Sequence, residues 1–195
     1  ASVTGSYATG NLSIAVSWLG GLIGLNQANG ASSVIDISNS YTTGTIYNNP
    51  GATVAQGTGG LLGLNRSGGS NASMKIQSSY ATGAVTGNGY TGGLVGWTKA
   101  NTSANHTISN SYATGAVSGT ADVGGLVGQN FSVTSAIANI ESSYATGSVS
   151  STTGSAGGLV GTNKADTSSA ASTANISNSY ATGNVTSTVS GYVGG

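Results

Sequence analysis

The chain of 195 residues contains no cysteine and one histidine, and only 4% of its residues are charged. Without cysteine it can form neither a disulfide framework nor a thiolate metal site. One histidine is too few for a transition-metal centre, so no cofactor or metal is expected. An ordinary domain carries about 25% charged residues. Here four basic side chains (Arg66, Lys75, Lys99, Lys164) balance four acidic ones (Asp36, Asp122, Glu141, Asp166). Charge this sparse argues against nucleic acid or an anionic membrane as a partner. No apolar run reaches the roughly 18 residues of a membrane helix, so membrane insertion is not expected. The first residues show neither the basic region nor the hydrophobic stretch of a secretion signal.

What the sequence has instead is repetition. The segment SYATG recurs at Ser6, Ser79, Ser111, Ser143 and Ser179, with a variant, SYTTG, at Ser40. Taking Tyr7, Tyr41, Tyr80, Tyr112, Tyr144 and Tyr180 as anchors, the spacings are 34, 39, 32, 32 and 36 residues. Those periods fall in the range of stacked repeat arrays. A second block sits between successive anchors: GGLIG at Gly20, GGLLG at Gly59, and GGLVG at Gly92, Gly124 and Gly157. The last copy stops at Gly194-Gly195, and the chain opens at Ala1 in mid-repeat, so it reads as one array over residues 1–195, uncapped at both ends and cut from something longer.

Aligned on tyrosine, two columns are wholly aliphatic. Four residues before it stand Val3, Ile37, Ile76, Ile108, Ile140 and Ile176; five after it stand Leu12, Ile46, Val85, Val117, Val149 and Val185. Stacking requires such columns, because no single repeat encloses a core. Helix is disfavoured by short β-branched runs bounded by Gly, Asn and Ser, with no sustained spacing of three and four. The expected fold is all-β: a parallel β-solenoid of about five repeats of 32–39 residues, with roughly three short strands per repeat.

Register gives a finer expectation. Asp36 and Lys75 share a column in adjacent repeats and should lie side by side as an exposed pair. Alternation from the later aliphatic residue points Ala, Gly and Val inward and Tyr and Thr outward, provided the chain turns a corner at the SNS and QSS segments before tyrosine. His106 stands where other copies have Ile35, Met74, Ala138 and Ala174, which makes it an inward substitution rather than a base.

These blocks resemble the GLUG-motif repeats of large bacterial surface and secreted proteins of the filamentous-haemagglutinin or adhesin type. Each copy carries GGLxG, followed in most cases by Asn (Asn26, Asn65, Asn130, Asn163), with Thr98 departing. The resemblance implies a scaffold or stalk exposed outside a bacterial cell.

Enzymatic chemistry is not expected. The glycine blocks lack the Lys-Ser or Lys-Thr of a phosphate loop and the helix of a dinucleotide fold. The four carboxylates stand in four different registers, whereas glycoside hydrolysis needs two of them about 5–10 Å apart. The primary expectation is a structural module that associates with copies of itself or with neighbouring repeats. One alternative is an ice-binding solenoid using the column Thr9, Thr43, Thr82, Thr114, Thr146 and Thr182. Another is a carbohydrate-binding or carbohydrate-processing helix that meets glycans or a host surface through the tyrosine rank. Leu25, Leu64 and Trp97, which occupy one variable column after GGLxG, read as an exposed apolar strip suited to lateral packing.

Overall fold

The computed structural model describes residues 1–49, 56–166, 171–188 and 191–195. Among these residues there is no helix, and 29 short strands form five parallel sheets. Four sheets have six strands and one has five. The first coil is made of strands Ser2–Thr4, Tyr7–Ala8, Leu12–Ile14, Trp18–Gly20 and Ile23–Ala28. The next four coils repeat that order, as in Ser73–Gln77, Tyr80–Ala81, Val85–Thr86, Tyr90–Gly92 and Val95–Ala100. Each strand pairs only with its equivalents one coil before and after. The molecule is a β-solenoid whose turns are the sequence repeats.

The columns align as the sequence indicates. Ile37, Ile76, Ile108 and Ile140 are register partners, and so are Ile46, Val85, Val117 and Val149. The isoleucines share one fully buried cluster with Leu61, Leu94 and Leu126 of the GGLxG blocks, while the other column packs with Leu19 and Val123. One turn contributes only a few of these side chains, so stacking is what removes them from water, at about 25 cal/mol per Å² of apolar surface.

Each coil has five strands rather than three, and glycine sterics account for the difference. The YATG strand breaks at its glycine: a Cβ on Gly83, Gly115 or Gly147 would lie 1.9–2.0 Å from the carbonyl oxygen of the equivalent glycine one coil earlier. GGLxG likewise straddles a corner, its first glycine ending one strand while the residue after leucine begins the next. Its second glycine faces the alanine of SYATG: a Cβ on Gly60, Gly93 or Gly125 would come within 2.7–2.8 Å of the Cβ of Ala81, Ala113 or Ala145. The two blocks therefore recur together because each fills the space the other leaves.

A further corner precedes each tyrosine, as expected. Gly5, Asn39, Ser78, Asn110, Ser142 and Asn178 form a column in the left-handed region, with φ of 48–59°. Glycine and asparagine adopt that conformation readily, serine less so. The next residue is a serine whose hydroxyl bridges coils. Ser79 Oγ donates to the Gln77 carbonyl at 2.8 Å and accepts the Ser40 amide at 3.2 Å, and Ser111 and Ser143 repeat the pattern. These serines are buried, so each hydroxyl supplies the acceptor that the equivalent serine amide one coil earlier would otherwise lack, and adds a second donor to a carbonyl already paired with a backbone amide.

Asp36 and Lys75 are register partners across one rung. The Asp36 carboxylate, however, accepts a hydrogen bond from Gln77 Nε2 at 3.2 Å, because glutamine from the same neighbouring strand reaches it on the half-buried side.

Candidate interaction surface

The tyrosines form one outward rank. Ring centroids of successive members are 4.8–5.2 Å apart and their planes diverge by only 2–9°. The spacing is that of the parallel ladder itself, so backbone register imposes the stack. Ala81, Ala113 and Ala145 point inward beside them, and Thr9, Thr43, Thr82, Thr114, Thr146 and Thr182 all point outward and are exposed. Tyrosine and threonine thus share a face, two residues apart along each strand. In the rank's interior both faces of every ring lie against other tyrosines. What such a ring offers a ligand is its edge and hydroxyl, not the open face a sugar packs on. Burial, then the neighbouring Tyr144 and Tyr80, raise the phenol of Tyr112 above its ordinary value of 10.0.

The strip of Leu25, Leu64 and Trp97 is only partly as expected. The three are register partners, and Leu25 is exposed, but Leu64 is 1% exposed. It is flanked by Leu25 and Trp97, and the rings of Trp18 and Trp97, from the coils on either side of it, meet with centroids 5.9 Å apart. Gly57, the register partner of both Trp18 and Tyr90, leaves room for the Trp18 ring, whose Cε3 would stand 3.1 Å from a Cβ there. Tyr90 also meets Trp97, at 4.8 Å. Position in one column could not show that a tryptophan from another sheet leans across it.

The second residue after GGLxG forms an amide column, buried at Asn65 and Asn130. Asn26 Nδ2 donates to Asn65 Oδ1 and Asn130 Nδ2 to Asn163 Oδ1, each at 2.8 Å. The interruption at Thr98 has a reason: its hydroxyl lies 3.1 Å from His106 Nδ1, so the smaller side chain makes room for the imidazole. His106 is buried, as its column indicates, and burial lowers its pKa from 6.5 to about 3. Its Nε2 has no hydrogen-bond partner.

The acidic residues are dispersed. Asp36 and Glu141 lie on the same sheet but three coils apart, an axial separation of roughly 14 Å at ~4.8 Å per coil. Among the described residues no group of three His, Cys, Asp or Glu side chains is placed to hold a metal ion.

A buried spine of repeated aliphatic residues, glycine corners and an outward aromatic rank define a parallel β-solenoid of GGLxG/SYATG repeats. Residues 119–150, one full turn containing both blocks, match the family model described as the GLUG motif. That turn is a GLUG-motif repeat, and the other turns carry the same two blocks. No curated protein and no solved structure matches the chain.

Proposed function

We propose that the chain is a non-catalytic structural segment of an extracellular bacterial surface protein of the adhesin type, and that its coils join end to end, to further repeats or to another copy. The observation that carries this reading is the unbroken in-register ladder: all five sheets run through every complete coil, and each coil offers the next the same columns it receives. The five steps between six coils advance only about 24 Å along the axis at ~4.8 Å each. Each added coil lengthens such a spacer by the same step.

Light scattering and electron micrographs of residues 1–195 test the reading. Concentration-dependent filaments of constant width are expected, and a monodisperse monomer at high concentration would overturn end-to-end joining.

The exposed threonine column favours a second reading, an ice-binding face with one hydroxyl per coil. The adjacent tyrosine rank projects from the same face and spoils its flatness. Freezing-point osmometry decides: thermal hysteresis supports ice binding, and its absence at millimolar protein removes it.

A further inference from the structure

Three of the four basic side chains stand in one ladder of the fifth sheet. Gln27, Arg66, Lys99, Phe131 and Lys164 are successive register partners, one per coil. Lys99 Nζ lies 5.3 Å from the Trp97 ring centroid and 6.0 Å from that of Phe131, and Lys164 Nζ lies 5.4 Å from Phe131. Arg66 and Lys99 are immediate neighbours, a like-charge juxtaposition that is unfavourable unless something anionic lies over it. Of the acidic groups, Asp122 accepts from Gln129 at 3.0 Å, and Asp36 and Glu141 belong to another sheet.

Beside this file lies an aromatic platform. Trp97 and Tyr90, with Gln56, Gly89 and Ala121, line an open cleft of about 280 Å³. That is just under the ~300–1,000 Å³ of small-molecule sites, so it suits one ring of a polymer rather than a whole ligand. Of the buried polar atoms without a hydrogen-bond partner, two are donors on this face, Trp97 Nε1 and Arg66 Nε. Orphaned buried N–H groups are rare, because each forgoes a hydrogen bond.

We propose that this face binds an acidic polysaccharide, a polyuronate lying along the solenoid axis. Trp97 and Tyr90 pack against a sugar ring, Arg66 and Lys99 take its carboxylates, and Lys164 takes a carboxylate two coils further on, about 10 Å from Lys99. Three cations spread over four coils match a polymer of spaced carboxylates. They do not match the dense phosphates of nucleic acid. The surface is separate from the coil ends, so its failure would leave the structural reading standing.

Affinity electrophoresis of the full chain in gels containing polygalacturonate, its fully methyl-esterified form, or single-stranded DNA tests the proposal. Retardation by polygalacturonate alone is expected, weakened about tenfold in Arg66→Gln/Lys99→Gln, where a bidentate carboxylate contact is lost. Lys75→Gln, on a different sheet, should bind as the parent does. Lys99→Gln/Lys164→Gln, which alters no buried donor, gives the same readout should the arginine variant fail to fold. No retardation by polygalacturonate, equal retardation by the esterified polymer or by DNA, or a loss in Lys75→Gln equal to that in the other variants would each overturn the proposal.

Discussion

The buried His106 should make the fold acid-sensitive in a way one pair of substitutions can remove. Burial holds its pKa at about 3 against an ordinary 6.5. The folded state therefore excludes a proton that the unfolded chain takes up. The stabilisation this gives is complete above pH 6.5 and is lost as pH falls from 6.5 towards 3. The slope is about 1.4 kcal/mol per pH unit. At pH 5, one and a half units below 6.5, the loss is about 2 kcal/mol, a large share of the ~5–15 kcal/mol of a typical domain. The next coil shows how to abolish the effect. There Asn130 donates to the Ala138 carbonyl at 3.2 Å in the place of Thr98 and His106. Thr98→Asn/His106→Ala copies that arrangement, extends the amide column and removes the titrating ring. Urea unfolding followed by circular dichroism at pH 7 and pH 5 measures both proteins. The parent should lose about 2 kcal/mol more than the double variant across that interval. Equal losses would show that the imidazole is not held neutral by the core, refuting the reasoning.

Three further expectations concern the repeated pentapeptide. Gly115→Ala would place a Cβ 2.0 Å from the Gly83 carbonyl oxygen, so thermal unfolding should show a loss of about 3 kcal/mol or more. Ser111→Ala leaves the buried Ser79 amide without its acceptor, while the Ser109 carbonyl keeps the Ser78 amide, and should lower stability by about 2 kcal/mol in the same assay. Tyr112 has a raised pKa, so its contribution is full below pH 10 and fades as pH rises through the higher folded value. Tyr112→Phe keeps the ring in the stack while removing that titration, so its melting temperature should fall less than the parent's between about pH 9 and 12.

Most of the architecture was legible because a solenoid converts sequence period directly into spatial register. The aliphatic columns, the corner before tyrosine, the outward rank and the burial of His106 all follow from aligning six copies. What was not legible depends on groups meeting across a coil. The corners at Gly83 and Gly93 arise from contacts with another turn and another block, so three strands became five. The variability of its column makes Leu64 look exposed, yet Trp18 and Trp97 meet across its coil. The serine bridge hid in plain view: an invariant Ser before Tyr gives no sign of which neighbour its hydroxyl reaches. The basic file did leave a trace, since Arg66, Lys99 and Lys164 each stand three residues after the last glycine of GGLxG. Counted from the tyrosines, their distance differs from coil to coil, which hides the file.

Pairing only between adjacent turns has a consequence for how such a chain can change. Ile137 is the register partner of Asn105. Excising residues 105–136 would therefore splice Ala104 to Ile137 and seat Tyr144 on Tyr80, leaving a building one storey lower with its stairwell intact. Duplication would raise it by the same increment. Height can then drift between lineages while the interior chemistry of every floor stays under the same constraint.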